Sequence, residues 1–150
     1  MNTDGDQSNP QENIELRMRT LRTLWIALFI SVLMYYGLTI FVGQREGVTL
    51  NNTLSLALVV VAFSTTLASF VIKNKLLARA VEERRVTMVQ QAYIVTWAIN
   101  EVAALLGVFD FFMTGNRYYY VLFLLAAAGL LLHHPRREPV ENAAFKRTTY

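Results

Sequence analysis

The chain has 150 residues, of which 54% are apolar and 17% are charged, and its formal net charge is +3. Soluble domains average about 45–50% apolar and about 25% charged residues, so this composition is typical of a membrane protein. Because the chain contains no Cys, disulfide frameworks, thiol redox chemistry and cysteine-ligated metal centres are excluded. The long uncharged runs leave no room for a separate soluble catalytic domain.

Four apolar runs predict four transmembrane helices, at about 24–42, 54–72, 91–114 and 118–134. Each of the first two reaches about 28 Å at a rise of 1.5 Å per residue, close to the thickness of the hydrocarbon core. A segment in lipid must satisfy its own backbone hydrogen bonds, and only a helix does so within one segment. We therefore expect an all-α fold, a multi-pass antiparallel up-down bundle of four helices.

The segments outside these runs are polar. Residues 1–20 are predicted to form a disordered cytoplasmic tail, because the beginning of the chain is polar and has no apolar period. Residues 21–134 form the predicted membrane domain, and residues 135–150 a second cytoplasmic tail. The charged segment 73–89 is predicted to extend the second and third helices into the cytoplasm.

Basic residues indicate the orientation. Of the 14 Lys and Arg residues, only Arg45 and Arg117 lie in the first and third loops; the other 12 lie before the first run, in the second loop and after the fourth run. The positive-inside rule places that side in the cytoplasm, so we expect both termini inside a bacterial inner membrane. The basic residues flank the spans, which predicts anionic lipid headgroups as their partners and makes a nucleic-acid partner unnecessary.

The third run is the most informative. At 100° per residue its polar side chains fall on one half of the helix, and the other half is apolar and is predicted to face lipid. Ala103 and Gly107 lie on the polar half. They form a small-x-x-x-small pair, which lets a second helix approach closely. We therefore predict that this pair is a helix-packing contact.

Glu101 lies close to the midpoint of the third run, where a carboxylate costs about 2.5–3.5 kcal/mol on insertion scales. None of the four runs contains Lys or Arg, so we expect Glu101 to be protonated and hydrogen-bonded to hydroxyl groups of the first or second span. Such a group either holds helices together or carries protons. The candidate intramembrane polar site comprises Glu101, Asn100, Thr96, Ser64 and Thr65.

The other polar residues near the ends of the runs are predicted to have structural roles. Asp110 lies about one turn from the external end of its run, where water and Arg117 could reach it. His133 and His134 point about 100° apart on a helix that Pro135 ends, which favours interface residues over metal ligands. The sequence has no Ser/His/Asp grouping, metalloprotease motif or phosphate-binding glycine loop. We therefore expect no enzyme activity, no catalytic residue, no metal and no cofactor.

The third run and its surroundings resemble a known group. Four spans, the pattern Trp97-Ala98-x-x-Glu101-x-x-Ala104-Leu105-x-Gly107 and the segment from His134 to Glu138 are similar to a group of small four-helix bacterial inner-membrane proteins. That group has no established activity, so the resemblance implies an architecture and no site. Relatives of the membrane glutathione transferases share the length and the number of spans, but their R-x-x-x-N-x-x-E pattern is absent from this chain.

Two functional hypotheses follow. The first is a structural or accessory membrane protein that binds other membrane proteins or itself. The second is a protein that translocates protons or cations and uses Glu101.

Overall fold

The chain is built almost entirely from α-helices in a computed structural model that describes residues 10–43 and 52–144, with side chains from residue 14 onwards. The helices are α1 (Pro10–Val42), α2 (Asn52–Glu82), α3 (Val86–Thr114), α4 (Tyr120–Leu132) and α5 (Arg137–Ala144). A 3₁₀ turn at Arg117–Tyr119 precedes α4, and no strand occurs in the described residues. The predicted all-α class is confirmed.

Three of the described helices are long and apolar enough to cross a bilayer: the part Ile14–Val42 of α1, the whole of α2 and the whole of α3. Helix α4 is shorter, because 13 residues reach only about 20 Å. A fourth candidate span exists if the segment Arg117–Leu132 and α5, which are bent by 44° at their break, are taken together. Three or four candidate spans are compatible with a multi-pass membrane protein.

Helix α3 lies at the centre, because it packs against α2, α4, α1 and α5. Its inward side chains are mainly small or aromatic. Ala103 is fully buried, and Trp97 and Tyr93 are the largest side chains that are almost completely buried. The core continues into α4 through Leu122 and Leu130. Helix α3 therefore fixes the positions of most interior polar groups.

Large apolar side chains cover the outside of α1 and α2. Phe41 is 91% exposed, and Met34, Leu56 and Val60 are also exposed. Soluble monomers rarely expose contiguous apolar patches of this extent. Lipid tails solvate such a surface without cost, which agrees with the apolar composition of these helices.

The first helix begins earlier than the sequence pattern predicted. We expected a disordered tail over residues 1–20, but α1 begins at Pro10, and this part of the prediction is wrong. Ile14 and Met18 are buried. They are four residues apart and so share one face of the helix, which packs against the core. Residues 1–9 of the predicted tail lie outside the described residues.

The second predicted tail, residues 135–150, contains helix α5. Val140 and Ala143 are buried, and α5 contacts α1, α2 and α3. Pro139 is tolerated because it lies in the first turn, where a backbone N–H has no helical partner. Residues 145–150 lie outside the described part of the chain.

The connections that the structure describes are short. Helix α2 continues to Glu82 and α3 begins at Val86, so the segment 73–89 is helical apart from a turn in which Arg84 has a φ of 52°. Gly115 follows α3 with a φ of 61°, a left-handed conformation that glycine adopts without steric cost. Residues 44–51 of the first loop lie outside the described residues.

Candidate functional site

Burial along α3 follows the two faces that helical periodicity predicts. Thr96, Asn100 and Asp110 are buried, whereas Ile94 and Leu105 on the opposite half are exposed. The polar half therefore points into the bundle. The polar side chains do not form one site, however: the structure divides them into three clusters with different neighbours.

Glu101 forms the first cluster, at the seam between α3 and α1. Its Oε1 is 2.9 Å from Ser31 Oγ and 3.4 Å from Tyr35 Oη. All three side chains are half-buried, so the cluster reaches the outer surface of the bundle. Within the described residues, neither Lys nor Arg forms an ion pair with Glu101. This carboxyl group near the middle of α3 thus has hydroxyl partners and no counter-charge.

The hydroxyl proton of Ser31 has two acceptors within reach. Ser31 Oγ is 2.7 Å from Leu28 O and 2.9 Å from Glu101 Oε1. When the proton points to the Leu28 carbonyl, Oγ accepts a hydrogen bond from a protonated Glu101; when it points to Glu101, it stabilises a carboxylate. The cluster therefore accommodates both protonation states of Glu101 without any movement of heavy atoms.

Asn100 and Thr96 belong to a second, fully buried cluster. Asn100 Nδ2 donates to Thr96 O at 2.8 Å and to Ser69 Oγ at 3.3 Å. Ser69 Oγ is 3.5 Å from Nε2 of His133. Asn100 Oδ1 has no hydrogen-bond partner and packs against Gly129, where an added Cβ would come within 2.7 Å of Asn100 Cγ. This cluster joins α3 to α2 and α4.

His133 was expected at the membrane interface, but its side chain is completely buried. Its Nδ1 is 2.6 Å from Gly129 O, and its own carbonyl accepts a hydrogen bond from Trp97 Nε1 at 3.0 Å. One sequence signal could have placed it inside, since Ala126, Gly129 and His133 recur at the spacing of one helical face. No group of three potential metal ligands occurs in the part of the chain that the structure describes.

Asp110 forms the third cluster, and its burial was not expected. The side chain is 1% exposed. Ser55 Oγ of α2 donates to Asp110 Oδ1, and so does Thr114 Oγ1, at 2.7 Å. Arg117 is exposed and forms no ion pair with Asp110 in the described residues. Asp110 therefore links α3 to α2 through hydroxyl groups.

The predicted partners on α2 do not reach Glu101. Ser64 is exposed, and Thr65 donates to Ala62 O of its own helix at 3.0 Å. Neither residue therefore forms a hydrogen bond with Glu101 in the described residues. A position near the middle of the span does not fix the rotation of α2 about its axis. In the part of the chain that the structure describes, the α2 hydroxyls that hydrogen-bond to side chains of α3 are those of Ser55 and Ser69.

Ala103 and Gly107 are both among the buried residues of α3. Ala103 is fully buried. A Cβ added to Gly107 would lie 3.0 Å from Phe123 Cε2 and 3.2 Å from Leu122 Cβ. The close approach is therefore between α3 and α4, and a larger residue at 107 would push α4 away.

No protein-family model matches the chain, and no curated protein or solved structure shows significant similarity to it. The geometry of the three clusters is thus the basis for a functional proposal.

Proposed function

We propose that the chain is a small integral membrane protein of structural or accessory type, which binds other membrane proteins or a second copy of itself. It carries out no reaction in this proposal. The observation that carries it is the position of the Glu101 cluster. The cluster is half-buried at the surface of the bundle. Its members, Glu101 on α3 and Ser31 and Tyr35 on α1, lie near the middle of these long apolar helices.

A polar surface at this depth favours a partner. Water cannot reach it through lipid, and an ionisable group that faces hydrocarbon costs several kcal/mol by insertion scales. A neighbouring helix that places a hydroxyl or an amide against Glu101 offsets this cost, because interhelical hydrogen bonds in membranes contribute about 0.6–1.7 kcal/mol each. The cluster is therefore a natural contact for a second transmembrane helix.

The interior of the bundle supports the same conclusion. Between Asn100 and Asp110, about 15 Å along α3, the inward side chains include Ala103 and Gly107, which pack near Leu122 of α4. On α3 itself, the buried residues of this layer are Ala103, Ala104 and Gly107, none of which is polar. A proton or cation moving along the axis would meet no hydrogen-bonding side chain on the inward face of α3 there, which favours a structural role.

The test is the assembly state in mild detergent of the wild type and of three variants. Glu101→Leu should weaken association about three- to tenfold, in proportion to the lost interhelical hydrogen bond, whereas Glu101→Gln should keep it. Leu105→Ala is the matched control, since it removes an exposed apolar side chain one turn away. A wild type that is monomeric without a stoichiometric companion would contradict the proposal, as would equal association of the Leu and wild-type proteins.

The number of spans and their orientation in the membrane are also part of this proposal. We infer four spans in an antiparallel bundle, with both termini in the cytoplasm of a bacterial cell and the segments at Arg117 outside. The charge distribution supports this orientation, because 12 of the 14 basic residues lie before the first run, in the second loop and after the fourth run.

Cysteine labelling tests the orientation directly, because the chain has no native Cys. Arg117→Cys should react with an impermeant thiol reagent added outside intact cells. Glu83→Cys should react only after the membrane is permeabilised. Both positions are exposed, so burial cannot explain a difference. Labelling of Glu83→Cys from outside intact cells would show that the orientation is the opposite one.

A second candidate function is proton translocation through Glu101. One observation favours it: the Ser31 hydroxyl can serve as donor or acceptor to Glu101, so the carboxyl group can change protonation state in place. Proton flux in liposomes separates the two functions. The accessory role predicts no flux above that of protein-free liposomes. Wild-type flux that Glu101→Gln abolishes would replace our proposal with this one.

A further inference from the structure

The end of the bundle opposite Gly115 carries cations without carboxylate partners. Lys73 is the first charged residue after the uncharged run 54–72, and its side chain is half-buried. Its Nζ lies 4.7 Å from the centre of the Tyr93 ring, a distance typical of cation–π contacts. In the described residues, Lys73 forms no ion pair.

Arg136 is held beside the same tyrosine. Its backbone N–H donates to Tyr93 Oη at 3.2 Å, and its side chain is exposed. The segment before it is anchored, because the carbonyl of His133 accepts from Trp97 Nε1 at 3.0 Å. Lys73 and Arg136 are near enough for their positive charges to repel each other. Arg136 likewise forms no ion pair within the described residues.

Tyr93 is almost completely buried, and its hydroxyl group still has one proton to donate. A phenol has one proton and can also accept, and the Arg136 N–H occupies Oη as an acceptor. No described residue accepts the Tyr93 proton in return. One hydroxyl donor, one ammonium group and one guanidinium group thus occur together.

Glu138 and Glu141, which follow Arg136 in the chain, form no ion pair with it in the described residues, and the carboxylates that do form ion pairs have other partners. Glu15 lies 3.7 Å from Arg137, and Glu83 pairs with Arg79 at 2.7 Å. The repulsion between Lys73 and Arg136 is therefore not offset by an ion pair with a carboxylate in the part of the chain that the structure describes. An anion placed between them would relieve this repulsion.

We infer that Lys73, Tyr93 and Arg136 form a binding site for a phosphate-type anion. Lysine and arginine are the usual ligands of phosphate oxygens, and arginine offers two parallel donors. The site lies where an apolar span ends, at the depth of lipid headgroups, and basic pockets between helices on the cytoplasmic side bind such headgroups. The phosphate belongs to an anionic lipid or is free in solution.

The experiment is a binding titration of the purified full chain by native mass spectrometry, with phosphatidylglycerol and phosphatidylcholine as probes. The wild type should retain phosphatidylglycerol more strongly than phosphatidylcholine. Lys73→Gln should weaken phosphatidylglycerol binding about fivefold, the factor that corresponds to one well-placed charge. Lys75→Gln is the matched control, because it removes an exposed charge two residues along α2 and should cost less than about twofold.

Two further variants, which keep either the charge or the aromatic ring, distinguish loss of the site from loss of folding. Lys73→Arg keeps the charge and should keep binding, and Tyr93→Phe keeps the ring but loses the hydroxyl donor and should weaken binding about threefold by loss of one hydrogen bond. Equal losses in Lys73→Gln and Lys75→Gln would show diffuse surface attraction and overturn the site. Equal binding of the two lipids by the wild type, with no effect of inorganic phosphate, would also overturn it.

An added arm identifies the source of the anion. If inorganic phosphate displaces phosphatidylglycerol from the wild type but not from Lys73→Gln, the site takes free phosphate. If inorganic phosphate displaces no phosphatidylglycerol from the wild type, while the wild type still prefers phosphatidylglycerol to phosphatidylcholine, the site takes the lipid headgroup. Neither outcome depends on whether the chain binds another protein, so failure of the anion site and failure of the accessory role are distinguishable.

Discussion

Two carboxyl groups on the same helix have different surroundings. Asp110 and Glu101 are nine residues apart on α3, which places them about 180° apart around the helix, at the two margins of its polar face. Each has a serine hydroxyl from a neighbouring helix as its partner, Ser55 of α2 for Asp110 and Ser31 of α1 for Glu101. Asp110 is nevertheless 1% exposed, whereas Glu101 is half-buried.

The difference comes from the neighbouring helices. Helix α2 packs on α3 more extensively than α1 does, so the margin that carries Asp110 is closed and the seam that carries Glu101 is open. The same chemical pair, a carboxyl group and a serine, therefore forms a buried link between helices at Asp110 and a surface feature at Glu101. Helix packing, and not residue type, therefore decides which polar group is available to a partner.

The largest effect is expected in the closed interior, at Gly129. Gly129→Ala would place a Cβ against the buried Asn100 side chain, within 2.7 Å of its Cγ. Overpacking of this kind costs about 1–3 kcal/mol, so the thermal midpoint in detergent should fall clearly. Gly37→Ala is the control, because a Cβ there meets no atom within 4 Å. Equal midpoints for the two variants would show that the interior is loose enough to admit the extra methyl group.

The two carboxyl groups should respond differently to replacement by leucine. Asp110→Leu removes the acceptor of two buried hydroxyls, from Ser55 and Thr114, and should cost about 1–3 kcal/mol of folding free energy. Glu101→Leu removes two half-buried hydrogen bonds, from Ser31 and Tyr35, and should cost less, about 0.6 kcal/mol for each. Thermal unfolding of both variants in the same detergent makes the comparison. A larger loss for Glu101→Leu would mean that the seam with α1 is the tighter contact.

The smallest effect is expected at the exposed turn between α2 and α3. Arg79 Nε donates to Glu83 Oε1 at 2.7 Å, and this hydrogen bond holds the pKa of Glu83 below its ordinary value. A lowered pKa in the folded state contributes stability above the unfolded-state pKa, and this contribution is lost as the pH falls through the folded-state value.

Exposure keeps this contribution small, since water screens surface pairs. Glu83→Gln should therefore lower the thermal midpoint only slightly at pH 7, and the difference from wild type should vanish once the pH falls below the lowered pKa of Glu83, where both side chains are uncharged. Glu82→Gln serves as the control, because Glu82 forms no ion pair among the described residues. A difference that grows as the pH falls would contradict this pH dependence.

The sequence was sufficient to predict which face of α3 points into the bundle, but not which residues of the neighbouring helices contact that face. Helical geometry fixes the angle between residues, so Thr96 and Asn100 could be placed inside from spacing alone. The rotation of α2 depends on packing, and Ser55 and Ser69 rather than Ser64 reach α3. Long-range choices of this kind are decided by side chains from several helices at once, which a single apolar run does not encode.

Short amphipathic segments were missed for a related reason. Ile14 and Val140 are buried, yet each belongs to a polar segment with few apolar residues. Such a segment becomes ordered only because the bundle offers it an apolar surface, since helices of this length are marginal in isolation. His133 is a similar case, because its burial follows from the contact with Trp97 and Gly129.

The most direct test of the central claim is the reaction of an apolar carbodiimide with the two carboxyl groups, read by mass spectrometry of the digested protein. Such a reagent dissolves in lipid or detergent and modifies protonated carboxyl groups that it can reach. We predict an adduct at Glu101 and none at Asp110 in folded protein that a harsher detergent has dissociated to monomers, and protection of Glu101 in native membranes, where a partner covers it. An adduct at Asp110 instead, or equal labelling of Glu101 in both preparations, would contradict the account.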